Sequence, residues 1–204
     1  MTQIEIIDKV NRFGQERSWP VSQNWSIDQL LMMTRDDVVG LWRTLPEVSL
    51  DELQGHFMGF APNRGDQERQ AQIRQKLHDE KSTHGYWIGK AFLKTGPNEG
   101  EGYNRCRVPG GAIRHIARYS TEVAASLIDG RPSLMLYYGS YHEQAPTFMD
   151  EIRKLEEYVY LGVGSMLDEK GNRNLDHFIL LGPTDKWVGG APGNLVVDFV
   201  KPTK

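Results

Sequence analysis

The chain has 204 residues, with 24 basic and 27 acidic side chains, a formal net charge of -3 and a pI near 6.1. This balance argues against a nucleic-acid partner, which needs a basic face. No apolar run approaches the ~20 residues of a membrane-spanning helix, and the N-terminal sequence MTQIEIIDKVNRFG lacks the apolar core of a signal peptide. Because Cys106 is the one cysteine, an internal disulfide is excluded, and we expect a cytoplasmic protein with no membrane attachment.

The first part of the chain is predicted to be helical. Apolar residues recur along 6–13 at the spacing of one helical stripe. Residues 26–29 and 49–52 each have the capping-box pattern, in which a Ser is followed three residues later by Gln or Glu, that begins a helix. Between them, the β-rich segment 37–45, DVVGLWRTL, is predicted to be the first strand.

The rest of the chain has the texture of an antiparallel sheet. From residue 85, short apolar segments alternate with Gly, Pro, Asn and Asp about every ten residues, which is typical of a sheet or barrel. We therefore predict an α+β fold with an antiparallel β-barrel. It forms a single domain, 1–204, with a helical N-terminal extension at 1–36 and the barrel at 37–204. A polar helix is predicted within the barrel region at about 65–82.

Several well-known site motifs are absent from the sequence. It contains no P-loop, no Gly-x-Gly-x-x-Gly and no Gly-x-Ser-x-Gly, so nucleotide and α/β-hydrolase chemistry are disfavoured. None of the six histidines has the spacing of a metal site, and we expect neither a metal nor another cofactor. A haem held by one strand histidine stays open as an alternative. Cys106 is interpreted as a small buried hydrophobe.

One hairpin predicts which residues share a face. Asp129-Gly130 suits a two-residue type I′ loop, which would pair Ser126 with Ser133 and fix the other pairs along the two strands. One face would carry polar and aromatic residues, namely Arg118, Glu122, Tyr137 and Tyr141. The opposite face would carry mainly apolar residues together with one histidine, namely Tyr119, Val123, Leu127, Leu134, Leu136, Tyr138 and His142.

Two interpretations of this hairpin are open. In the first, the apolar face packs inside and Glu122 and Arg118 are solvated, as is usual for amphipathic strands. In the second, Glu122, Tyr137 and Arg118 line the inside of a barrel. A carboxylate in such a pocket would have a raised pKa and would act as a general acid or base.

Two further segments contain candidate site residues. In STHGYWIGKAF, regular strand alternation places Trp87 and Lys90 on opposite faces, so at most one of them points into a barrel. Trp87, between Gly85 and Gly89, is predicted to pack in the wall. For Lys90 three alternatives are open: it snorkels to the rim, pairs with a carboxylate such as Glu122, or binds an anionic ligand head group. His177 is predicted to be a hydrogen-bonded histidine of the core or rim.

The segment GYWIGKAF, 85–92, resembles the signature of the GXWXG protein family. GLWRTLP, 40–46, lies where the first strand of that family would fall, although Thr44 replaces its second Gly, and VAASLIDGRPSLMLYY, 123–138, resembles a later strand-turn-strand element. An acidic residue of that element is replaced here by Met135 or a neighbour. The resemblance implies a lipocalin-like β-barrel with an internal hydrophobic cavity, and no settled reaction.

These observations lead to a functional hypothesis. The barrel would bind a small hydrophobic molecule and convert it by acid/base chemistry without a cofactor, through isomerisation, cyclisation or elimination. The candidate catalytic residues are Glu122, His142, Tyr137 and Lys90. The candidate ligand-binding residues are Trp42, Tyr86, Trp87, Arg118, Tyr138, Tyr141 and His177.

The sequence leaves two alternatives to this hypothesis. The first is a non-catalytic carrier or sensor of a lipid-like ligand or haem. The second is a structural partner protein that associates through its polar and N-terminal helices. Whether the chain forms a homodimer is also open.

Overall fold

The computed structural model describes residues 25–61, 77–82, 84–143, 146–167, 170–171 and 173–188. Two short helices come first: α1, Ile27–Met32, and α2, Arg35–Trp42. The strands are β1, Gly55–Phe60; β2, Tyr86–Lys94; β3, Glu99–Arg107; β4, Ile113–Ala125; β5, Pro132–Tyr137; β6, Met149–Glu156; β7, Val159–Leu167; and β8, Arg173–Asp185. Within the described ranges, no helix has the length and apolar character needed to cross a membrane.

Each strand pairs antiparallel with the next, and β8 returns to β1 to close an eight-stranded barrel. This up-and-down order is that of lipocalins, so the predicted α+β class with an antiparallel lipocalin-like barrel is confirmed. Closure leaves none of the eight strands with an unpaired edge.

The inside of the barrel is filled by large aromatic and aliphatic side chains. Glycines on neighbouring strands make room for two of the rings. A methyl group on Gly162 would lie 2.1 Å from the ring of Phe178, and one on Gly59 would lie 2.4 Å from the ring of Trp87. The other large interior side chains include Phe57, Phe92, Tyr119, Leu134, Leu136, Tyr138 and Tyr160.

A second apolar cluster joins the helices to the outer face of β7 and β8. Its buried members are Ile27, Leu30, Val38, Trp42, Leu45, Phe60, Val159, Leu161, Val163, Ile179 and Leu181. This cluster explains why the outward positions of β7 and β8 are as apolar as the inward ones. The two strands are covered on both faces, so they do not alternate between apolar and polar side chains.

The prediction of a first strand at 37–45 is wrong, because most of this segment belongs to helix α2. Thr34 and Asp37 form a capping box, with the Thr34 backbone N–H donating to Asp37 at 2.9 Å and the Asp37 N–H donating to Thr34 Oγ1 at 3.2 Å. Val38 and Trp42, four residues apart, then lie on one helical face and are buried together. Helical spacing outweighed the β propensity of the valines, and Trp42 lies outside the barrel.

The barrel therefore begins at residue 55 rather than 37. Residues 49–52, predicted to begin a helix, form a turn that leads into β1. The capping box at 26–29 is confirmed at the start of α1. The N-terminal stripe at 6–13 and most of the polar helix predicted at 65–82 lie outside the described residues.

The β4–β5 hairpin is shifted by two residues from the predicted pairing. Ala124, rather than Ser126, pairs with Ser133, and the loop is longer than two residues. Asp129 is engaged elsewhere, in a bidentate ion pair with Arg153 at 2.7 and 2.8 Å. A shift of two keeps the residues of both strands on their predicted faces, and the apolar face is the interior one. Leu127, predicted on the apolar face, lies in the loop and is exposed. The first interpretation of the hairpin is therefore correct.

Candidate functional site

An ion pair lies inside the barrel. Lys90 of β2 and Asp150 of β6 are 2.7 Å apart between Nζ and Oδ2, and their side chains are only 3% and 4% exposed. Charged groups are rarely buried this deeply, because removing them from water costs several kcal/mol per ion in real proteins. This pair is the centre of the candidate site.

A β-bulge places Lys90 and Trp87 on the same face, against the prediction of opposite faces. Trp87 pairs with Cys106 and Gly89 pairs with Arg105, so β2 uses two steps where β3 uses one. The extra residue reverses the alternation, and both side chains then point into the barrel. Gly89 has φ +140°, a conformation that other residues rarely adopt.

Tyr138 and Asn104 complete a hydrogen-bond network with this pair. Lys90 Nζ donates to Tyr138 Oη at 2.6 Å and to Asn104 Oδ1 at 2.9 Å. Tyr138 donates to Asp150 Oδ2 at 2.7 Å, and Asn104 Nδ2 donates to Tyr138 Oη at 3.2 Å. We call these four residues the interior network. Trp87 Nε1 also donates to Asn104 Oδ1, at 3.0 Å, so Asn104 connects the wall to the ion pair.

Aromatic rings enclose the ammonium group of Lys90. Its Nζ lies 5.1 to 6.0 Å from the centroids of four rings, those of Trp87, Tyr119, Tyr138 and Phe178. Their faces favour a cation, but they do not replace its hydration. Burial therefore lowers the pKa of Lys90, and the Asp150 carboxylate opposes that shift.

Burial also keeps the neighbouring weak acids protonated. The pKa of Tyr138 is raised well above its usual value, by burial first and then by the Asp150 charge. The pKa of Cys106 is raised to about 12 by burial. As predicted, Cys106 is a buried thiol, and it is not activated for nucleophilic attack.

The predicted Glu122 constellation lies on the outer face, away from the interior network. Glu122 is exposed, and burial with a hydrogen bond to Glu122 raises the pKa of Tyr137 to about 12. Arg118 forms an ion pair with Glu101, and its guanidinium carbon lies 4.4 Å from the ring centroid of Tyr141. The residues predicted to share this face are therefore neighbours, but they lie on the surface and not inside the barrel.

Two predicted histidines are buried outside the interior network. His142 Nε2 is hydrogen-bonded to the carbonyl of Arg118 at 2.9 Å. His177 Nε2 is hydrogen-bonded to the carbonyl of Leu30 at 3.0 Å, beneath α1, which agrees with its predicted core position. Among the residues that the structure describes, no three side chains of His, Cys, Asp or Glu are grouped so that they could hold a metal ion.

Trp42 and Tyr86, predicted to line the cavity, also lie elsewhere. Trp42 is fully buried against the outer wall, where its Nε1 donates to Ser126 at 3.3 Å and its ring centroid lies 5.0 Å from Arg153. Tyr86 is half-buried and stacks on His78 with ring centroids 5.1 Å apart. Of the predicted site residues, Lys90, Trp87 and Tyr138 are brought together.

Asp150 and Asn104 were missed by sequence reasoning. Asp150 belongs to β6, MDEIRKLE, which carries charges on both faces and does not resemble a strand. Its outward Glu151 and Arg153 are nevertheless 2% and 0% exposed. The β4–β5 loop contacts both, through the Leu127 N–H and the Asp129 carboxylate, and the Trp42 carbonyl of α2 also accepts from Arg153. The one signal in the sequence was that Asp150 and Ile152, two residues apart, would share one face of a strand.

Comparisons with known proteins identify no relative of assigned function. No family model matches the sequence, and no curated protein matches it. Among solved structures, the crystal structure of a protein from Thermomonospora curvata matches with a TM-score of 0.48 and 18% identity, covering 74% of this chain and 88% of that chain. The description of this chain as a closed eight-stranded antiparallel barrel rests on its own strand pairings.

Proposed function

We propose that the barrel binds a small hydrophobic molecule at the interior network and acts on it by proton transfer, without a cofactor. The observation that carries this proposal is the Lys90–Asp150 pair, 3% and 4% exposed in an apolar interior. Replacing a buried ion pair by apolar side chains is often neutral or stabilising. Stability alone therefore does not account for the pair, which supports a functional reason for it.

The geometry of the network suits proton abstraction next to a carbonyl group. Asp150 is the candidate base for a carbon-bound proton. Lys90 and Tyr138, whose polar atoms lie 2.6 Å apart, are the candidate donors to the oxyanion that develops. A low-dielectric aromatic surrounding strengthens both interactions. Isomerisation, cyclisation and elimination all begin with such a step.

Phe148 marks the proposed entrance. It is half-buried, and it stacks on Tyr138 with centroids 4.5 Å apart and planes at 26°. It precedes β6 at the barrel end where β5 also stops. Leu50 and Leu53, which are buried in the interior cluster, lie before β1 at the opposite end. Because large side chains fill the interior, a ligand would reach the network by displacing Phe148 from the face of Tyr138 and taking its place.

A non-catalytic carrier is the second candidate. It is favoured by the completeness of the network, in which Lys90 donates to three acceptors and Tyr138 bonds to three groups. Such a saturated group of side chains would orient a bound polar end without moving a proton. The two candidates predict the same ligand occupancy and differ in turnover.

Native mass spectrometry of freshly purified protein tests the proposal. We expect a co-purifying hydrophobic molecule on the wild type, and its loss from a folded Lys90→Met/Asp150→Leu variant. Asp51→Asn, which removes a surface carboxylate bonded to Lys94, is the matched control and should keep the molecule.

Turnover then separates the two candidates. Conversion of the identified molecule by wild type but not by Asp150→Asn supports the enzyme, and binding without conversion supports the carrier. Equal occupancy of the wild type and the Lys90→Met/Asp150→Leu variant would contradict both. Loss of conversion in Glu122→Gln, with Asp150→Asn active, would place the chemistry on the outer face.

A further inference from the structure

The outer face of β1 to β4 carries a second group of polar side chains. His56 of β1 and Tyr103 of β3 are hydrogen-bonded at 2.9 Å between Nε2 and Oη. The bond crosses over β2 at Ala91, which pairs with both residues. Arg105 of β3 pairs with His115 of β4 one step further along the same face. We call His56, Tyr103, Arg105 and His115 the outer cluster.

Arg105 has no partner for its charge within the described part of the chain. Its guanidinium makes no hydrogen bond or ion pair there, and its Nε is buried. Asp185, which pairs with His56 across β1 and β8, acts on Arg105 only through its longer-range field. Three other arginines of the barrel strands each pair with a carboxylate: Arg107 with Glu80, Arg118 with Glu101 and Arg153 with Asp129.

His115 beside Arg105 also has an unused polar atom. The residue is 8% exposed, and its Nδ1 is buried without a hydrogen-bond partner among the described residues. Its ring is fixed by stacking on Tyr103, with centroids 4.1 Å apart and planes at 17°. Trp187 also packs against Tyr103, with ring centroids 4.7 Å apart. A buried polar atom left unpaired is costly, so two adjacent ones point to a missing partner.

We propose that the outer cluster binds a small oxyanion, a carboxylate or a tetrahedral phosphate or sulfate group. Arg105 supplies a planar fork of donors that fits two oxygens of such a group. The fixed ring of His115 supplies a further donor from Nδ1. This site is separate from the interior network and does not depend on the proposed function.

Anion binding would have a signature in the histidine titrations. Burial, followed by the charges of Arg105 and His115, lowers the pKa of His56 to about 4, while Asp185 opposes this. Burial and Arg105 also lower the pKa of His115. A bound anion offsets the charge of Arg105, so both pKa values should rise on binding.

NMR of the histidine ring protons tests this site. Sulfate is titrated against sodium chloride at equal ionic strength, with acetate as the carboxylate arm. We expect a saturable shift of the His115 and His56 resonances and a rise of about half a unit or more in the pKa of His56. Arg105→Gln should weaken binding at least tenfold. Arg107→Gln, on the same strand, should leave it unchanged.

The outcomes decide between a site and general screening. Equal shifts with chloride, or equal binding by Arg105→Gln and wild type, would overturn the proposal. If Arg105→Gln fails to fold, Arg105→Lys, which keeps the charge and loses the fork, should still bind more weakly than wild type. Tighter binding of acetate than of sulfate identifies a carboxylate ligand, and the reverse order identifies a phosphate- or sulfate-bearing one.

Discussion

Replacing Asp150 with Asn leaves the ammonium group of Lys90 inside the barrel without its counter-ion. The two groups are 2.7 Å apart and their side chains are 3% and 4% exposed, so water is poorly placed to solvate the orphaned charge. Removing one partner of a buried ion pair costs about 3–5 kcal/mol of unfolding free energy. We therefore expect Asp150→Asn to be among the most destabilising conservative changes in the barrel.

The destabilisation should depend on pH with a defined sign. Burial lowers the pKa of Lys90, and the Asp150 carboxylate opposes that shift. Because the variant lacks this carboxylate, its Lys90 has a still lower pKa. An unfolded lysine, with a pKa near 10.4, keeps a proton that the folded variant releases. At pH values between the pKa of Lys90 in the folded variant and that of the unfolded lysine, the unfolded state binds more protons. The stability of the variant therefore rises as pH rises.

Urea unfolding followed by tryptophan fluorescence measures this effect. With a slope of about 2–3 kcal/mol per molar urea, the midpoint should fall by about 1–2.5 M at pH 6 and by less at pH 9.5. Asp51→Asn is the control, since Asp51 is 72% exposed and its pair with Lys94 is worth less than about 1 kcal/mol. A loss no larger than that of the control, or one that grows with pH, would refute the reasoning.

Three further changes test the packing and the outer cluster. Gly162→Ala should lower the unfolding free energy by about 1–3 kcal/mol in thermal unfolding, because its methyl group would lie 2.1 Å from the Phe178 ring. Gly40→Ala should raise it by roughly 0.5–1 kcal/mol, since the helical site is open; equal melting temperatures for the two variants would contradict this. His56, with a pKa lowered to about 4, makes stability fall by about 3 kcal/mol as pH drops from 6.5 towards 4. His56→Gln should flatten that part of the pH profile, and an unchanged profile would exclude the role of His56.

The barrel was predictable because short apolar segments are separated by turn residues about every ten positions, and because one hairpin has a clearly apolar face. Along β4 and β5, Tyr119, Leu134 and Leu136 lie on one face. Because strand side chains alternate with a period of two, a register error of two residues leaves them on that face. The same pattern could not reveal the bulge at residues 87–89. There, one extra residue reverses every later side chain of β2, and the local sequence carries apolar residues on both faces.

The candidate site was only half predictable for a related reason. Lys90 was singled out because a lysine within an apolar strand needs a partner. Its partner Asp150 is 60 residues away and lies in a strand whose charges appear on both faces. Glu151 and Arg153 look like surface residues in the sequence, yet tertiary contacts outside the barrel bury them. Their burial depends on packing between segments that are far apart in the chain. Hydrophobic periodicity and secondary-structure propensity do not predict such packing.

Hydrogen–deuterium exchange at carbon tests the central claim most directly. The co-purified molecule is incubated with the protein in D₂O, and its mass is followed over time. Proton transfer at the interior network predicts deuterium incorporation with wild type and with Asp51→Asn, and a rate at least a hundredfold lower with Asp150→Asn, within the range that general acid–base catalysis contributes. Incorporation by Asp150→Asn at the wild-type rate, or none with wild type, would contradict the account.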